Sequence, residues 1–336
     1  MANFDDGKYN CIVLLGPTAC GKTGLGVRLA DYLTQNGKPT HIISADSRQV
    51  YRGLDIGSGK DLVEFTLDKG KPTERTIPYH LIDIVDVSEE YNVFRYQKDF
   101  YECFNSLIEK KILPFVVGGT GMYIDAIVRC YKMGEVGINV ELRKNLQGKS
   151  VEELAQILRE LKAKHGEELH NTTDTLEHHR LLRAIEIETA RETENLDNCD
   201  NSSLSENEIV RPDIRPFIFG TTFERSVVRQ RVTIRLKERM EQGMIDEVQK
   251  IHDGGIEWER LERLGLEYKF VSLYLQGKIT YDELFSQLNT AIHQFVKRQE
   301  TWFRGMERKG VEIHWLPKDE TRFEAAVELL QNESVD

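Results

Sequence analysis

The sequence predicts an α/β fold, a doubly wound parallel sheet with an inserted all-helical subdomain. Three observations carry that prediction. Apolar, strand-like runs alternate with helical segments through the first 130 residues, the stretch 140–188 is helical throughout in its pattern, and strand character returns at "RPFIFGTT". Such alternation makes a parallel sheet covered by helices on both faces, with ligand chemistry collected at the carboxyl ends of the strands.

The first strand is the run Cys11-Ile12-Val13-Leu14-Leu15, apolar throughout as a strand buried on both faces must be. It leads into "GPTACGKT", residues 16–23. The spacing Gly16-x4-Gly21-Lys22-Thr23 is the P-loop pattern, in which backbone N–H groups cradle phosphate, the lysine neutralises it and the hydroxyl reaches Mg²⁺. Leu25, Leu29, Ala30 and Leu33 then recur at helical spacing, so the loop opens a helix N-terminus, itself an anion site. The sheet is therefore expected to be of P-loop type, with further strands at 40–44, 79–84 and 112–117.

In the helical block, Val151, Leu154, Ile157, Leu158 and Leu161 form one stripe. "ETENLDNCDNSSLSENE" has no lysine or arginine and almost no apolar mass, so it is expected to be a mobile acidic linker. A long helix from about Ser226 follows, with Val228, Val232, Leu236, Met240 and Met244 in an i, i+4 row. Thr280-Tyr-Asp-Glu283 reads as a capping box for a helix carrying Leu284, Leu288, Ile292, Phe295 and Val296. The expected division is a core of 1–130 and 210–320 and a helical insertion of 131–209, with its linker near 190–209.

Composition narrows the function. The 336 residues carry a net charge of −11, which argues against indiscriminate coating of nucleic acid and leaves room for a local basic groove. The five cysteines, Cys11, Cys20, Cys103, Cys130 and Cys199, are scattered without C-x2-C spacing, as expected for reduced thiols in a cytoplasm and not for structural zinc. No apolar run reaches the ~18 residues of a membrane span. The polar start "MANFDDGKYN" lacks a signal-peptide core.

Four stretches are expected to converge on the phosphate loop. Asp46 stands past the second strand, where it is either a helix cap or a base facing the loop. The strand at 112–117 ends in Gly118-Gly119-Thr120-Gly121 where a Walker-type NTPase has an acid; close backbone approach and a neutral hydroxyl suit a second phosphate contact, or a plain turn. Arg231, Arg235 and Arg239 share one helix face, either solvated or aimed at an anion. In "VKRQETWFR", Lys297, Arg298 and Arg304 accompany Trp302 and Phe303, a mixture that suits stacked bases and phosphates or simply core plus surface. Cys20 is either a small residue tolerated in the loop or a reactive thiol.

The ordered blocks "GPTACGKT", "DSRQVYRGLDIGSGK", "HLIDI", "VGGTGMY", "RLLRAIEI", "RQRVTIRLKERMEQGMIDEV", "LYLQGKITYDEL" and "KRQETWFR" span roughly residues 11 to 305. Together they resemble the tRNA dimethylallyltransferases, also called tRNA isopentenyltransferases. The resemblance implies transfer of a dimethylallyl group from dimethylallyl diphosphate to N6 of the adenine at tRNA position 37, by a P-loop core whose helical insertion helps grip the anticodon stem-loop. It implies that Gly16, Thr18, Ala19, Cys20, Gly21, Lys22 and Thr23 hold the diphosphate, with Thr23 on Mg²⁺. Asp46, Thr120 and Arg235 are implied as catalytic. RNA contacts are implied for Ser47, Arg48, Gln49, Arg180, Arg183, Arg231, Lys297, Arg298 and Trp302. A bacterial-type enzyme is expected, since no zinc finger of the eukaryotic type is present, and a monomer, because tRNA would occupy the large cleft.

Several positions depart from that family's pattern: Tyr79 and Val87 in "PYHLIDIVDV", the run "ERLGLEYKF" around Gly265, and "NTTDTLEHHRLLRAIEI" with "ETARETEN". Alternative functions with the same loop are an adenylate isopentenyltransferase acting on free AMP, ADP or ATP, a small-molecule kinase, and a non-catalytic RNA-binding protein.

Overall fold

The computed structural model describes residues 7–131, 136–164, 178–194 and 211–332. They belong to two compact units, Met1–Tyr131 with Val210–Asp336, and Lys132–Ile209. No helix among the described residues is long and apolar enough to cross a membrane.

In the first unit, β1 (Cys11–Leu15) is buried at every residue. The phosphate loop follows, then α1 (Lys22–Gln35), which buries Leu25, Val27, Leu29, Ala30 and Leu33. β2 (Thr40–Ala45) comes next, then a 3₁₀ turn at Leu62–Phe65 and the antiparallel pair β3 (Thr66–Leu67) and β4 (Arg75–Thr76). β5 is only Tyr79–His80, shorter than the expected 79–84. Leu81 and Asp83 take left-handed φ of 59° and 56°, which turns the chain out of the sheet. The amides of Asp83 and Ile84 donate instead to the carbonyls of Gln49 and Val50. α2 (Val93–Glu109) starts at Asn92, whose side chain accepts the Arg95 amide. β6 (Leu113–Gly118) and α3 (Gly121–Val128) complete this half.

The second unit contains α4 (Val140–Asn145), α5 (Val151–Lys164) and α6 (His178–Glu194). The stripe expected on α5 is its core face: Leu154, Ala155 and Leu158 pack with Leu146, Leu181 and Ile185. Beside that core Glu186 accepts from Arg143 Nε at 2.7 Å and Arg183 Nη1 at 3.1 Å. The acidic stretch expected as a linker from about 190 starts as helix, because α6 continues to Glu194; 195–210 lie outside the described residues, as do 165–177.

Returning to the first unit, β7 (Pro216–Gly220) is followed by α7 (Arg225–Glu241), α8 (Met244–Asp253), α9 (Trp258–Arg263) and α10 (Leu266–Leu275). The expected apolar row breaks before Met244, where Gly243 at φ 99° ends α7 and opens α8. The Thr280 capping box is present and starts α11 (Tyr281–Arg308), on which Phe295 faces solvent while Leu284, Leu288, Ile292 and Val296 are buried. β8 (His314–Trp315) and α12 (Arg322–Asn332) follow. α12 packs on α1, with Phe323 edge-on to Tyr32, so the core continues beyond the expected limit of 320.

The sheet order is β5-β2-β6-β1-β7-β8 and every neighbouring pair is parallel. The doubly wound P-loop α/β core is thus the observed fold. In the register, Leu15 and Ala45 each pair with Gly118, and Leu15 pairs with Gly220. Four strands therefore end level, which sets Gly16, Asp46, Gly119 and Thr221 side by side along one edge.

Candidate active site

The phosphate loop is shaped by residues that other side chains could not replace. A Cβ on Gly16 would lie 2.2 Å from the Thr221 carbonyl oxygen. Ala19 and Gly21 both adopt left-handed φ, 61° and 67°, and Gly21 is the residue from which α1 starts. Lys22 folds back across the loop, its Nζ donating to the Pro17 carbonyl at 2.6 Å. Cys20 is fully buried and its thiol donates to the same carbonyl at 2.9 Å. It fits the reading of a small packed residue in the loop.

Asp46 directly follows β2. Its Oδ1 accepts the amides of Arg48 at 2.8 Å and Gln49 at 3.4 Å, so it caps its own turn. Oδ2 has no hydrogen-bond partner among the described residues and is the oxygen available to a ligand. The next residue ties this turn to β6: the Ser47 amide donates to Thr120 Oγ1 at 3.0 Å, and the Thr120 amide donates to the Ala45 carbonyl at 3.1 Å. Gly118 and Gly119 make the approach feasible. A Cβ on Gly118 would fall 2.3 Å from the Ala45 oxygen, and one on Gly119 would fall 3.2 Å from the Gly16 oxygen and 3.4 Å from Lys22 Nζ.

Gln299, on α11, joins the two glycine loops. The Thr18 amide donates to its Oε1 at 2.9 Å and its Nε2 donates to the Gly119 carbonyl at 2.8 Å. Sequence reasoning passed over it, although it lies within "KRQETWFR". One turn further, Trp302 packs on the start of α3, where a Cβ on Gly121 would be 2.5 Å from its ring. Its indole N–H is buried without a hydrogen-bond partner among the described residues. Trp302 is thus half-buried against α3, while Lys297 and Arg298 are exposed.

The arginine row of α7 is not a solvated face. Its side chains are 38%, 33% and 11% exposed at Arg231, Arg235 and Arg239. Arg235 Nη2 donates to Asp61 at 2.9 Å and to the Gly59 carbonyl at 3.4 Å. Arg239 donates to the Gly57 carbonyl at 3.2 Å and pairs with Glu267 at 3.5 Å. Burial, then the charge of Arg235, pulls the Arg239 guanidinium below its ordinary value. Arg231 stacks on Phe223 at 3.9 Å, and Arg322 of α12 covers the same ring at 4.6 Å. Arg322 also donates to the Cys20 carbonyl at 2.6 Å, so α12 supports the phosphate loop directly. Nothing in the motifs pointed to Arg322.

Two carboxylates flank this end of the site. Asp61 pairs with Arg235, and Glu64 accepts the amide of Gly24 in the first turn of α1. Burial, and secondarily Asp61, raise the Glu64 carboxyl above its ordinary value. Among the described residues no group of three His, Cys, Asp or Glu side chains could hold a metal.

The remaining sequence-predicted residues are placed as follows. Gln49 accepts from Ser44 Oγ at 3.1 Å and donates to the Gly59 carbonyl at 3.4 Å. Arg48 lies against Gly265, whose Cβ would be 3.4 Å from its Nε. In the helical unit Arg180 is exposed on α6, whereas Arg183 donates to the Val136 carbonyl at 2.6 Å and to Glu186, holding that unit together.

The comparisons with known proteins agree with one another. The IPP transferase family model matches residues 49–306. The chain is 47% identical over 322 residues to tRNA dimethylallyltransferase 1 of Syntrophus aciditrophicus, covering 96% of this chain and 97% of that one. It is 48% identical to tRNA dimethylallyltransferase 1 of Geotalea uraniireducens with the same coverage. Its structure matches the full-length tRNA isopentenylpyrophosphate transferase of Bacillus halodurans with a TM-score of 0.64 at 28% identity, over 97% of this chain and 98% of that one. A eukaryotic dimethylallyltransferase acting on tRNA shares the fold, with a TM-score of 0.70 at 20% identity over 97% of this chain and 79% of that one. With a family model covering most of its length and relatives alike from end to end, this chain belongs to the IPP transferase family, that of the tRNA dimethylallyltransferases.

Proposed function

We propose that the protein transfers the dimethylallyl group from dimethylallyl diphosphate to N6 of the adenine at tRNA position 37, releasing diphosphate. The observation that carries this reading is the junction of Asp46 and Thr120 beside the phosphate loop, with a free carboxylate oxygen at its rim. An exocyclic adenine amine is a poor nucleophile because its lone pair is delocalised into the ring. Asp46 Oδ2 accepts its proton as the new C–N bond forms. The allylic C–O bond breaks with its electron pair going to the diphosphate, and negative charge grows at the loop. Lys22, Arg235 and the loop amides stabilise that charge more in the transition state than in the ground state.

β6 ends in glycines and Thr120 where a γ-phosphate-hydrolysing enzyme has an acid. No water attacks phosphorus in this reaction, so none is needed. Mg²⁺ fits the chemistry of the site: the Thr23 hydroxyl in the first turn of α1 and the diphosphate oxygens are hard oxygen donors. Held there, it would supply further positive charge against the leaving group.

The target adenine leaves the anticodon-loop stack to reach Asp46. Arg48, beside Asp46, and exposed Lys297 and Arg298 are the side chains we assign to RNA phosphates, with the helical unit and Arg180 gripping the stem-loop. Ser47, Gln49 and Arg231 line the same region. Half-buried Trp302 keeps its place in that set, and Arg183, bonded to Val136 and Glu186, serves it by holding the helical unit. The protein acts as a monomer in the cytoplasm, where its tRNA substrate is.

Purified protein incubated with Mg²⁺ and labelled dimethylallyl diphosphate is offered unmodified tRNA, AMP and ATP in parallel. Label in tRNA that vanishes with Asp46→Asn is the expected result. Label in AMP or ATP alone makes it an adenylate isopentenyltransferase, and ATP consumption without label overturns prenyl transfer altogether.

A further inference from the structure

The segment Leu54-Asp55-Ile56-Gly57-Ser58-Gly59 has no regular structure, yet it touches Arg235 and Gln49 through the Gly59 carbonyl. Lys60 Nζ binds Asp55 at its start at 2.8 Å, and one carboxylate gathers the amides that follow. Glu247, on α8, accepts the amides of Asp55 at 3.0 Å and Ile56 at 2.6 Å on Oε2, and the amide of Gly57 at 3.0 Å on Oε1. Oε1 also accepts the hydroxyl of Tyr268 at 2.9 Å. Four donors converge on one side chain, three of them from a segment about 190 residues away.

The far side of the segment is closed as tightly. A Cβ on Gly57 would meet the Tyr268 ring at 2.7 Å, and one on Gly59 would meet Arg235 Nη2 at 2.5 Å. Arg239 donates to the Gly57 carbonyl while its partner Glu267 neighbours Tyr268 in the "LGLEY" run. That run, which departs from the family pattern, is thus the back wall of the segment. Arg235 in turn is oriented by the Gly59 carbonyl and by Asp61 just beyond it.

We infer that Glu247 is a positioning residue for the transfer reaction: by clamping three successive amides of the 55–57 turn it fixes Gly59 and Asp61, and through them the aim of Arg235 at the diphosphate. The inference rests on the prenyl-transfer reading above. Among the described residues Glu247 has no hydrogen bond or ion pair to the phosphate loop, and the segment it clamps reaches the site at Arg235 and Gln49; the cycle with Arg235 tests the first of these routes. A carboxylate is required because every group facing it is a donor; an amide would turn an N–H₂ group onto one of the backbone N–H groups and leave it unsatisfied.

The test is a double-mutant cycle between Glu247→Gln and Arg235→Ala in the full chain, read by kcat/KM for dimethylallyl diphosphate with saturating tRNA, by the affinity for inorganic diphosphate with Mg²⁺, and by Tm. Glu247→Gln is expected to lower kcat/KM and diphosphate affinity each about tenfold, and by less than about twofold when Arg235 is already alanine. Tyr268→Phe, which removes one of the four donors and keeps the ring, is expected to show the same coupling at about threefold, and it decides the matter if Glu247→Gln does not fold. Equal losses in both backgrounds, or unchanged diphosphate affinity, overturn the inference and leave Glu247 a residue of stability only. If the wild-type protein binds diphosphate but labels no tRNA, the functional reading fails while the diphosphate cycle still reports on Glu247.

Discussion

Thr18 and Gln299, 281 positions apart, share one hydrogen bond: the Thr18 amide donates to Gln299 Oε1 at 2.9 Å. The other end of the same side chain donates to the Gly119 carbonyl. One buried amide thereby sets the spacing between the phosphate loop and the loop that carries Thr120. Only a side chain with both a donor and an acceptor serves both ends.

Gln299→Glu keeps the acceptor for Thr18 but loses the donor to Gly119 and sets a negative charge beside the phosphate loop. It is expected to lower kcat/KM for dimethylallyl diphosphate by about a hundredfold. Gln299→Ala should lose less, about tenfold, because it adds no charge and leaves only unpaired groups. Steady-state kinetics on the two variants check the order, and an alanine variant worse than the glutamate variant refutes the electrostatic part of this account.

Arg322 lies outside the span matched by the family model, yet it supports the Cys20 carbonyl and stacks on Phe223. Arg322→Ala is expected to weaken diphosphate binding by about fivefold and to destabilise the fold by about 1 kcal/mol, from the lost hydrogen bond and the lost cation–π contact. Calorimetric titration with inorganic diphosphate and a urea melt measure the two effects separately. Wild-type affinity would restrict Arg322 to a structural role.

Gly118→Ala places a Cβ 2.3 Å from the carbonyl oxygen of Ala45, an atom of the backbone that no rotamer change can move. The expected cost is about 3 kcal/mol or more, since neighbouring strands must separate at the point where the site is assembled. A urea melt on the purified variant checks it, and a loss below about 1 kcal/mol contradicts the packing described here.

His41 and His80 sit on the adjacent strands β2 and β5, ring to ring, with His41 Nδ1 3.0 Å from His80 Nε2. Burial lowers both imidazoles below their ordinary value, and the neighbouring ring lowers His80 further. Lowered folded-state values mean that the unfolded chain binds protons first as pH falls. The pair's contribution is therefore complete above the ordinary value near 6.5 and is lost as pH drops through the lowered values. Tm is expected to fall more between about pH 7 and pH 5 in the wild type than in His80→Gln. Parallel slopes would show that other groups govern that range.

Much of the site was legible because its signals are local. The apolar run at Cys11–Leu15, the glycine spacing that follows it and the capping box at Thr280 each express the conformation of a few consecutive residues. Asp46 was legible for a related reason: in a parallel sheet the residue after a strand's carboxyl end has one place to go. The shared face of Arg231, Arg235 and Arg239 also followed from spacing. Its direction did not, because helical periodicity says which residues lie together and not what lies opposite them. The early end of β5 was hidden too, since the left-handed turns at Leu81 and Asp83 are imposed by amide pairing with Gln49 and Val50 and carry no glycine to announce them.

The sequence by itself determined the α/β class, the phosphate loop, the helical insertion and the candidate base, since each depends on hydrogen bonding and burial within a short window. Tertiary structure alone decided what holds those parts in working order. Gln299 on Thr18, Arg322 on Cys20 and Glu247 on the 55–57 turn are contacts between residues some 190 to 300 positions apart. Each uses an ordinary polar side chain that any exposed helix could carry. Its meaning arises only when the fold brings a backbone group to within 3.0 Å of it.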